Sequence, residues 1–368
     1  MSPWEPIEVS GGWRLFPSGT KGNSNRAGGA AFSSGPPRKT YAFSGSEPVF
    51  YCFLGRLCYG ELMKIAILGA GALGCYYGAR LAEAGHEVTF IARSACGPMR
   101  EHGLHVHSVD GDITLPTPSV CAHPEECGPV DLVIVSWKTC ANALFAQALP
   151  PLLHEGTEVM TFQNGMGNAE AIAEVVPASR VFVGLCFVCC MMDEPAVIRH
   201  LEGGKVHVAP LVPDAAGRQR AEALAEMLRE ARVEAQAFGH TEEILWTKLS
   251  WNIPFNGLCL AHGGISIRQL FAMPGQPERA RRIMNEVCLT AEMRGFPLPM
   301  DLVEEQMQRT SLMGDFIPSS AVDYLRGRPV EYDAIWGTPL ARAREVKAPI
   351  PEWEELAAEI RRRLKLAD

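Results

Sequence analysis

No apolar run in this chain is long enough to cross a bilayer as a helix, which sets aside the membrane-spanning classes. Basic charge is not in excess either. Lys and Arg number 34 against 42 Asp and Glu, for a formal net charge of −8 and a sequence pI near 5.8. A nucleic-acid binder normally presents a basic face, so that partner is excluded as well. A metal centre lacks its ligands: Cys186-Phe-Val-Cys189-Cys190 has a C-x-x-C spacing, but there is no second pair, and a zinc site needs four donors. His102, His105 and His107 alternate as the exposed positions of an edge hairpin would. The amino end shows no secretory pattern, and Glu5 and Glu8 sit where a mitochondrial transit segment avoids acids. With 47% hydrophobic and 21% charged residues, a soluble cytoplasmic globular enzyme is the expected class. Of the 12 cysteines, Cys75, Cys140, Cys259 and Cys288 fall in apolar segments, where free cysteine behaves as a small buried hydrophobe.

A length of 368 residues leaves room for two domains, each with its own core. Residues 1–62 are rich in Gly, Ser and Pro without a sustained apolar period, which predicts disorder and makes Met63 the expected working start. From Met63 to about Phe238 strands alternate with helical patterns. The strands fall at Lys64–Leu68, Val88–Ile91, Leu132–Ser136, Val159–Phe162 and Val181–Val188; the helical patterns include Asn142–Leu153, Asn168–Val175 and Arg218–Arg232. That rhythm predicts an α/β domain over 63–239 with a doubly wound parallel sheet. Gly239 marks the junction. Beyond it helical patterns dominate (Glu242–Leu260, Glu278–Arg294, Asp301–Arg309, Glu352–Leu366), so 240–368 reads as an all-α domain with the substrate in the cleft between the two.

The strand Lys64–Leu68 runs into Gly69-Ala70-Gly71-Ala72-Leu73-Gly74 and then into a helix. In this setting each glycine has its own reason: Gly69 for a sharp turn, Gly71 for close approach to a pyrophosphate, Gly74 for helix–strand packing. The N–H groups and dipole at the start of the helix then face the phosphates. An NAD-binding version carries an acid at the end of the second strand, for the ribose 2′-OH. This chain has Arg93 there, which suits the 2′-phosphate of NADP instead. Lys138 and Asn164 end two further strands on the carboxyl edge, where ligands bind in such sheets. Lys248, Asn252 and Asn256 follow one another at intervals of four and so share one helix face, with Pro254 expected to kink the helix between the asparagines.

In these blocks the chain resembles the ketopantoate reductase (2-dehydropantoate 2-reductase) family. The matching residues are Gly69 to Gly74, Arg93, Lys138, Asn164-Gly-Met-Gly167, Trp246-Thr-Lys248 with Asn252 and Asn256, and Ser319-Ser320 followed by Gly327-Arg-Pro-Val-Glu331-Tyr-Asp333. The resemblance implies a Rossmann-type domain followed by a helical domain like the C-terminal one of 6-phosphogluconate dehydrogenase. It implies NADPH-dependent reduction of a 2-oxo acid, 2-dehydropantoate first among them, with Lys248 as catalytic lysine and Glu331 as partner acid. Asn252, Asn256 and Ser319 would hydrogen-bond substrate, Asn164 would lie near the nicotinamide, and Arg93 and Lys138 would hold the adenosine phosphate end. Where the family usually has Asn-Pro-Leu, this chain has Asn256-Gly-Leu258, preceded by its own Pro254. A further substrate-side asparagine is missing, its nearest counterpart being Ser266, and the third residue after Lys138 is Ala141 rather than a polar one. These departures keep open a reductase of another bulky 2-oxo acid. A non-catalytic NADP-binding regulator is the remaining alternative, which retention of Lys248 and Glu331 opposes. The apolar helical residues of the second domain permit a homodimer without requiring one. N-terminal sequencing of the native protein is expected to find nothing upstream of Met63; recovery of any earlier residue overturns that start.

Overall fold

The computed structural model describes residues 62–366. The leader expected to be disordered and dispensable lies, apart from Leu62, outside the described residues. In β1 (Lys64–Leu68) Ile65 and Ile67 pack into one core, Ala66 and Leu68 into another, and none is more than 2% exposed. A strand covered on both faces reads as a continuous apolar run rather than an alternating one. β6 (Leu132–Val135) and β7 (Glu158–Thr161) are likewise buried throughout. With β2 (Glu87–Ile91), β5 (Ser119–Cys121) and the start of β8 (Val181–Glu194), they pair in parallel in the order β5-β2-β1-β6-β7-β8. The winding reverses between β1 and β6. There the chain leaves the two strands in opposite directions and opens a crevice at their carboxyl ends. The doubly wound sheet expected from the sequence is present, and helices follow it.

The sheet also extends beyond its parallel part. β8 continues past Val188 to Glu194, turns through Ala196 (φ +70°), and returns as β9 (Val197–Pro210), antiparallel to it. β9 then takes β3 (Leu104–Ser108) and β10 (Ala235–Ala237) in parallel, and β4 (Ile113–Leu115) closes the edge against β3. His105 and His107 lie on β3, whereas His102 ends the helix Cys96–His102 before it. The helix expected over Asn142–Leu153 is broken instead into a 3-10 stretch (Thr139–Leu144), one α turn (Phe145–Ala148) and a second 3-10 turn (Pro150–Leu152). Pro150 and Pro151 have no N–H to continue an α-helix.

After His240 the periodic segments form helices, among them Gln276–Met293, Leu302–Ser311 and Pro351–Leu364. The Lys248 helix, Thr241–Trp251, loses its regular α geometry around Pro254. It widens into a π turn over Asn252–Asn256 and resumes as Gly257–Ala261. A π turn accommodates a residue that lacks its N–H, and the Trp336 indole donates to the Ile253 carbonyl inside it (3.1 Å). One face of the sheet (Ala66, Val133, Val135, Val159, Leu185) shares a continuous core with Trp246, Trp336 and Trp353 of these helices, all three fully buried. Burying each indole contributes roughly 3 kcal/mol. The opposite face packs on the helices Ala72–Glu83 and Ala215–Glu230. Because the sheet and the later helices share that core, the described residues belong to one compact unit.

Candidate active site

The glycine turn closes on the crevice between β1 and β6. Gly69 sits at φ +104°, a conformation that favours glycine, and a Cβ there would lie 2.5 Å from the Trp137 nitrogen. The Ser136 hydroxyl donates to the Gly69 carbonyl (2.8 Å), tying the two strand exits together. At Gly74 a Cβ would strike the Ser136 hydroxyl and approach the Gly69 carbonyl to 2.6 Å. Gly71 is different: it is exposed, and a Cβ there would meet nothing within 4 Å. Open space therefore lies before the first turn of Ala72–Glu83, whose leading N–H groups have no intrahelical acceptor. That cradle fits a pyrophosphate. The Gly69 and Ala70 N–H groups both donate to the Ile91 carbonyl (3.3 and 3.2 Å), which brings exposed Arg93, two residues further on, to the same turn.

Lys248 enters the crevice from the helical side. Its helix is fastened at Glu242, which accepts from the Trp246 indole (2.9 Å) and takes both arms of Arg294 (2.6 and 2.7 Å). The Lys248 ammonium donates to Asn164 Oδ1 (2.7 Å) and to the Cys186 carbonyl (2.5 Å), and lies 5.6 Å from the Phe187 ring centre. Burial lowers its pKa from the ordinary lysine value, while Glu331 works in the opposite direction. The Cys186 thiol is pushed up to about 12 by burial, so it stays protonated.

Glu331, nearly buried, is held by Lys138 (3.1 Å) and by the Thr139 N–H (2.8 Å). Lys138 also pairs with buried Asp323 (2.7 Å). Burial works against the charge on Lys138, but the two carboxylates outweigh it and raise its pKa. Lys138 was expected beside Arg93 at the adenosine phosphate end. Its ammonium pairs with two acids carried by the second half of the chain. Asn252 and Asn256 are buried and bonded to each other (3.2 Å). The Asn256 oxygen also accepts from the Ser320 N–H (2.9 Å) and the hydroxyl of exposed Ser319 (3.4 Å), so it caps the helix Ser319–Leu325. Ser266 lies elsewhere in its loop, where a capping box with Gln269 uses its hydroxyl.

Sequence reasoning did not single out Asp323, Gln163, Asn142 or Asn168. The only signal for Gln163 was its place beside Asn164; for Asp323, its place four residues after Ser319. Taken together, a dinucleotide cradle and a half-buried ammonium are parts that a nicotinamide-dependent reductase of carbonyl compounds requires. The family profile described as "Ketopantoate reductase PanE/ApbA" matches residues 65–213, and "Ketopantoate reductase PanE/ApbA C terminal" matches residues 240–363. The chain belongs to the ketopantoate reductase family and is a 2-oxo acid reductase. It is 32% identical to a 2-dehydropantoate 2-reductase of Nostoc sp. over 292 residues, covering 78% of this chain and 91% of that one. A crystal structure of 2-dehydropantoate 2-reductase from Geobacter metallireducens superposes with a TM-score of 0.78 at 38% identity, covering 81% of this chain and 99% of that chain. D-mandelate dehydrogenase with NADH and anilino(oxo)acetate shares the fold (TM-score 0.73, 24% identity, 82% and 98% covered).

The two glycines separate packing from binding. Gly74→Ala is expected to lower stability by about 1–3 kcal/mol, as overpacking does, read in thermal unfolding. Gly71→Ala is expected to leave the melting temperature unchanged and weaken NADPH binding in a fluorescence titration. Equal melting temperatures for the two variants contradict this assignment.

Proposed function

We propose that this chain reduces a 2-oxo acid with NADPH, 2-dehydropantoate to (R)-pantoate first among the candidates, with Lys248 as proton donor and Glu331 as its acidic partner. The observation that carries this reading is the Lys248 ammonium, bonded to Asn164 and the Cys186 carbonyl and within the field of Glu331. When bound, the nicotinamide supplies hydride to the carbonyl carbon of the substrate. Charge then grows on the carbonyl oxygen, where Lys248 Nζ stabilises it and delivers the proton that completes the alcohol. Asn252, Asn256 and Ser319 orient the acid so that the reacting carbons approach to about 3–3.5 Å. The Gly69–Gly74 turn receives the pyrophosphate and Arg93 the 2′-phosphate. Lys138 serves the adenosine phosphate end of the coenzyme from the same edge and also pairs with Glu331. Residues 63–239 thus serve the coenzyme and residues from 240 onward the substrate, in a cytoplasmic enzyme.

A second reading, reduction of another bulky 2-oxo acid, is favoured by one observation. The Ser266 hydroxyl and the Asn256 oxygen are already engaged with backbone N–H groups, which leaves fewer polar groups for a hydroxylated substrate. Following NADPH absorbance with a panel of 2-oxo acids decides between them: fastest turnover of 2-dehydropantoate supports the first reading, and fastest turnover of an apolar acid the second.

Lys248→Ala is expected to cut turnover at least about 100-fold, as loss of a general acid does, with NADPH affinity nearly intact. The proton donor must be charged, and burial lowers its pKa. Activity is therefore expected at lower pH and lost as pH rises through a limb below the ordinary lysine value of about 10.4. A near-wild-type rate for the variant would sink the assignment. Arg93→Ala is expected to raise KM for NADPH roughly tenfold, the worth of one charge-assisted contact, while leaving KM for NADH unchanged. Equal effects on both coenzymes would remove Arg93 from the 2′-phosphate.

A further inference from the structure

Between the exits of β6 and β7 lies a set of amides that the chemistry above does not use. The Trp137 indole donates to Asn142 Oδ1 (3.2 Å), which also accepts from Gln163 Nε2 (2.7 Å). Gln163 Nε2 donates in addition to the Trp137 carbonyl (3.1 Å). Asn142 Nδ2 donates to Asn168 Oδ1 (2.8 Å), and Asn168 Nδ2 donates to the backbone carbonyl of Asn164 (3.0 Å). Asn164 then presents its own side-chain oxygen to Lys248. Gln163 and Asn168 are each 4% exposed, so water does not replace a lost bond here.

The two ends fix the direction of this chain. An indole N–H only donates and a backbone carbonyl only accepts. Asn142 must therefore turn its oxygen to Trp137 and its N–H group to Asn168, which in turn must offer its N–H group to Asn164. We propose that Asn142 and Asn168 are positioning residues for the reduction: they pin the Asn164 backbone so that its side chain holds the Lys248 ammonium at the crevice. The inference rests on the reading of Lys248 as proton donor. It differs from a purely structural role, because leucine keeps the branched outline of asparagine but makes none of its hydrogen bonds, so a shift in Lys248 titration is read apart from any loss of folding.

The test uses the full chain with Asn142→Leu and Asn168→Leu, and with Leu224→Ala as a control cavity in the opposite core. Kinetics with NADPH and 2-dehydropantoate are measured against pH, and Lys248 is titrated by 15N-lysine NMR without substrate. Both leucine variants are expected to lose about tenfold in kcat with KM for NADPH little changed, the scale of one misplaced hydrogen bond. Their alkaline limb and the Lys248 titration are expected to fall by about half a pH unit, since the ammonium loses an acceptor that favours its charged form. Leu224→Ala is expected to lower the melting temperature and move neither. Folded leucine variants whose Lys248 titrates as in the wild type overturn the inference. If Asn168→Leu fails to fold, the half-exposed Asn142 carries the test. If the wild type does not reduce 2-dehydropantoate, the substrate reading fails while the NMR titration still decides the positioning.

Discussion

The site depends on an ammonium group that has exchanged most of its water for two oxygen acceptors. Lys248 sits on a helix, yet both acceptors come from the sheet: the Asn164 side chain just beyond β7 and the Cys186 carbonyl within β8. A lysine withdrawn from water is costly to charge unless acceptors are already in place. The geometry must therefore be held from both sides. The Glu242–Arg294 pair and the Trp246 indole hold the helix, and parallel pairing of β7 with β8 holds the acceptors.

The same economy appears among the acids and amides. Asp323 and Glu331 are buried carboxylates, and both meet Lys138 from the β6 exit. Removing that lysine leaves two buried charges uncompensated, the situation in which a buried ion pair matters most. Asn256 is at once a substrate candidate and the cap of the helix that brings Ser319. Asn252 and Asn256 are consequently held in place by the fold before any ligand arrives.

Much of this was legible beforehand where local chemistry is one-valued. A positive φ at a tight turn favours glycine, so Gly69 announced its own geometry. Buried parallel strands are continuous apolar runs, so β1, β6 and β7 stood out. The failures are equally local. Asn142–Leu153 has helical periodicity, but Pro150 and Pro151 divide it. Pro254 announced a break in α geometry, but that it takes the form of a π turn over Asn252–Asn256 was not legible from the proline alone. Asn168 carried no pattern at all and Asp323 only its spacing from Ser319, since a buried polar side chain declares itself chiefly through the partner it meets.

By itself the sequence determined the element types, the dinucleotide turn and the residues able to carry charge, because these follow from neighbours along the chain. Tertiary structure decided which of those residues meet. It joined the helices to one face of the sheet in a single core, drew Lys138 to Glu331 and Asp323, and committed Ser266 to a helix cap. Such pairings span up to 193 residues. They arise only when burial strips the water from polar groups and leaves each with whatever partner the packing supplies.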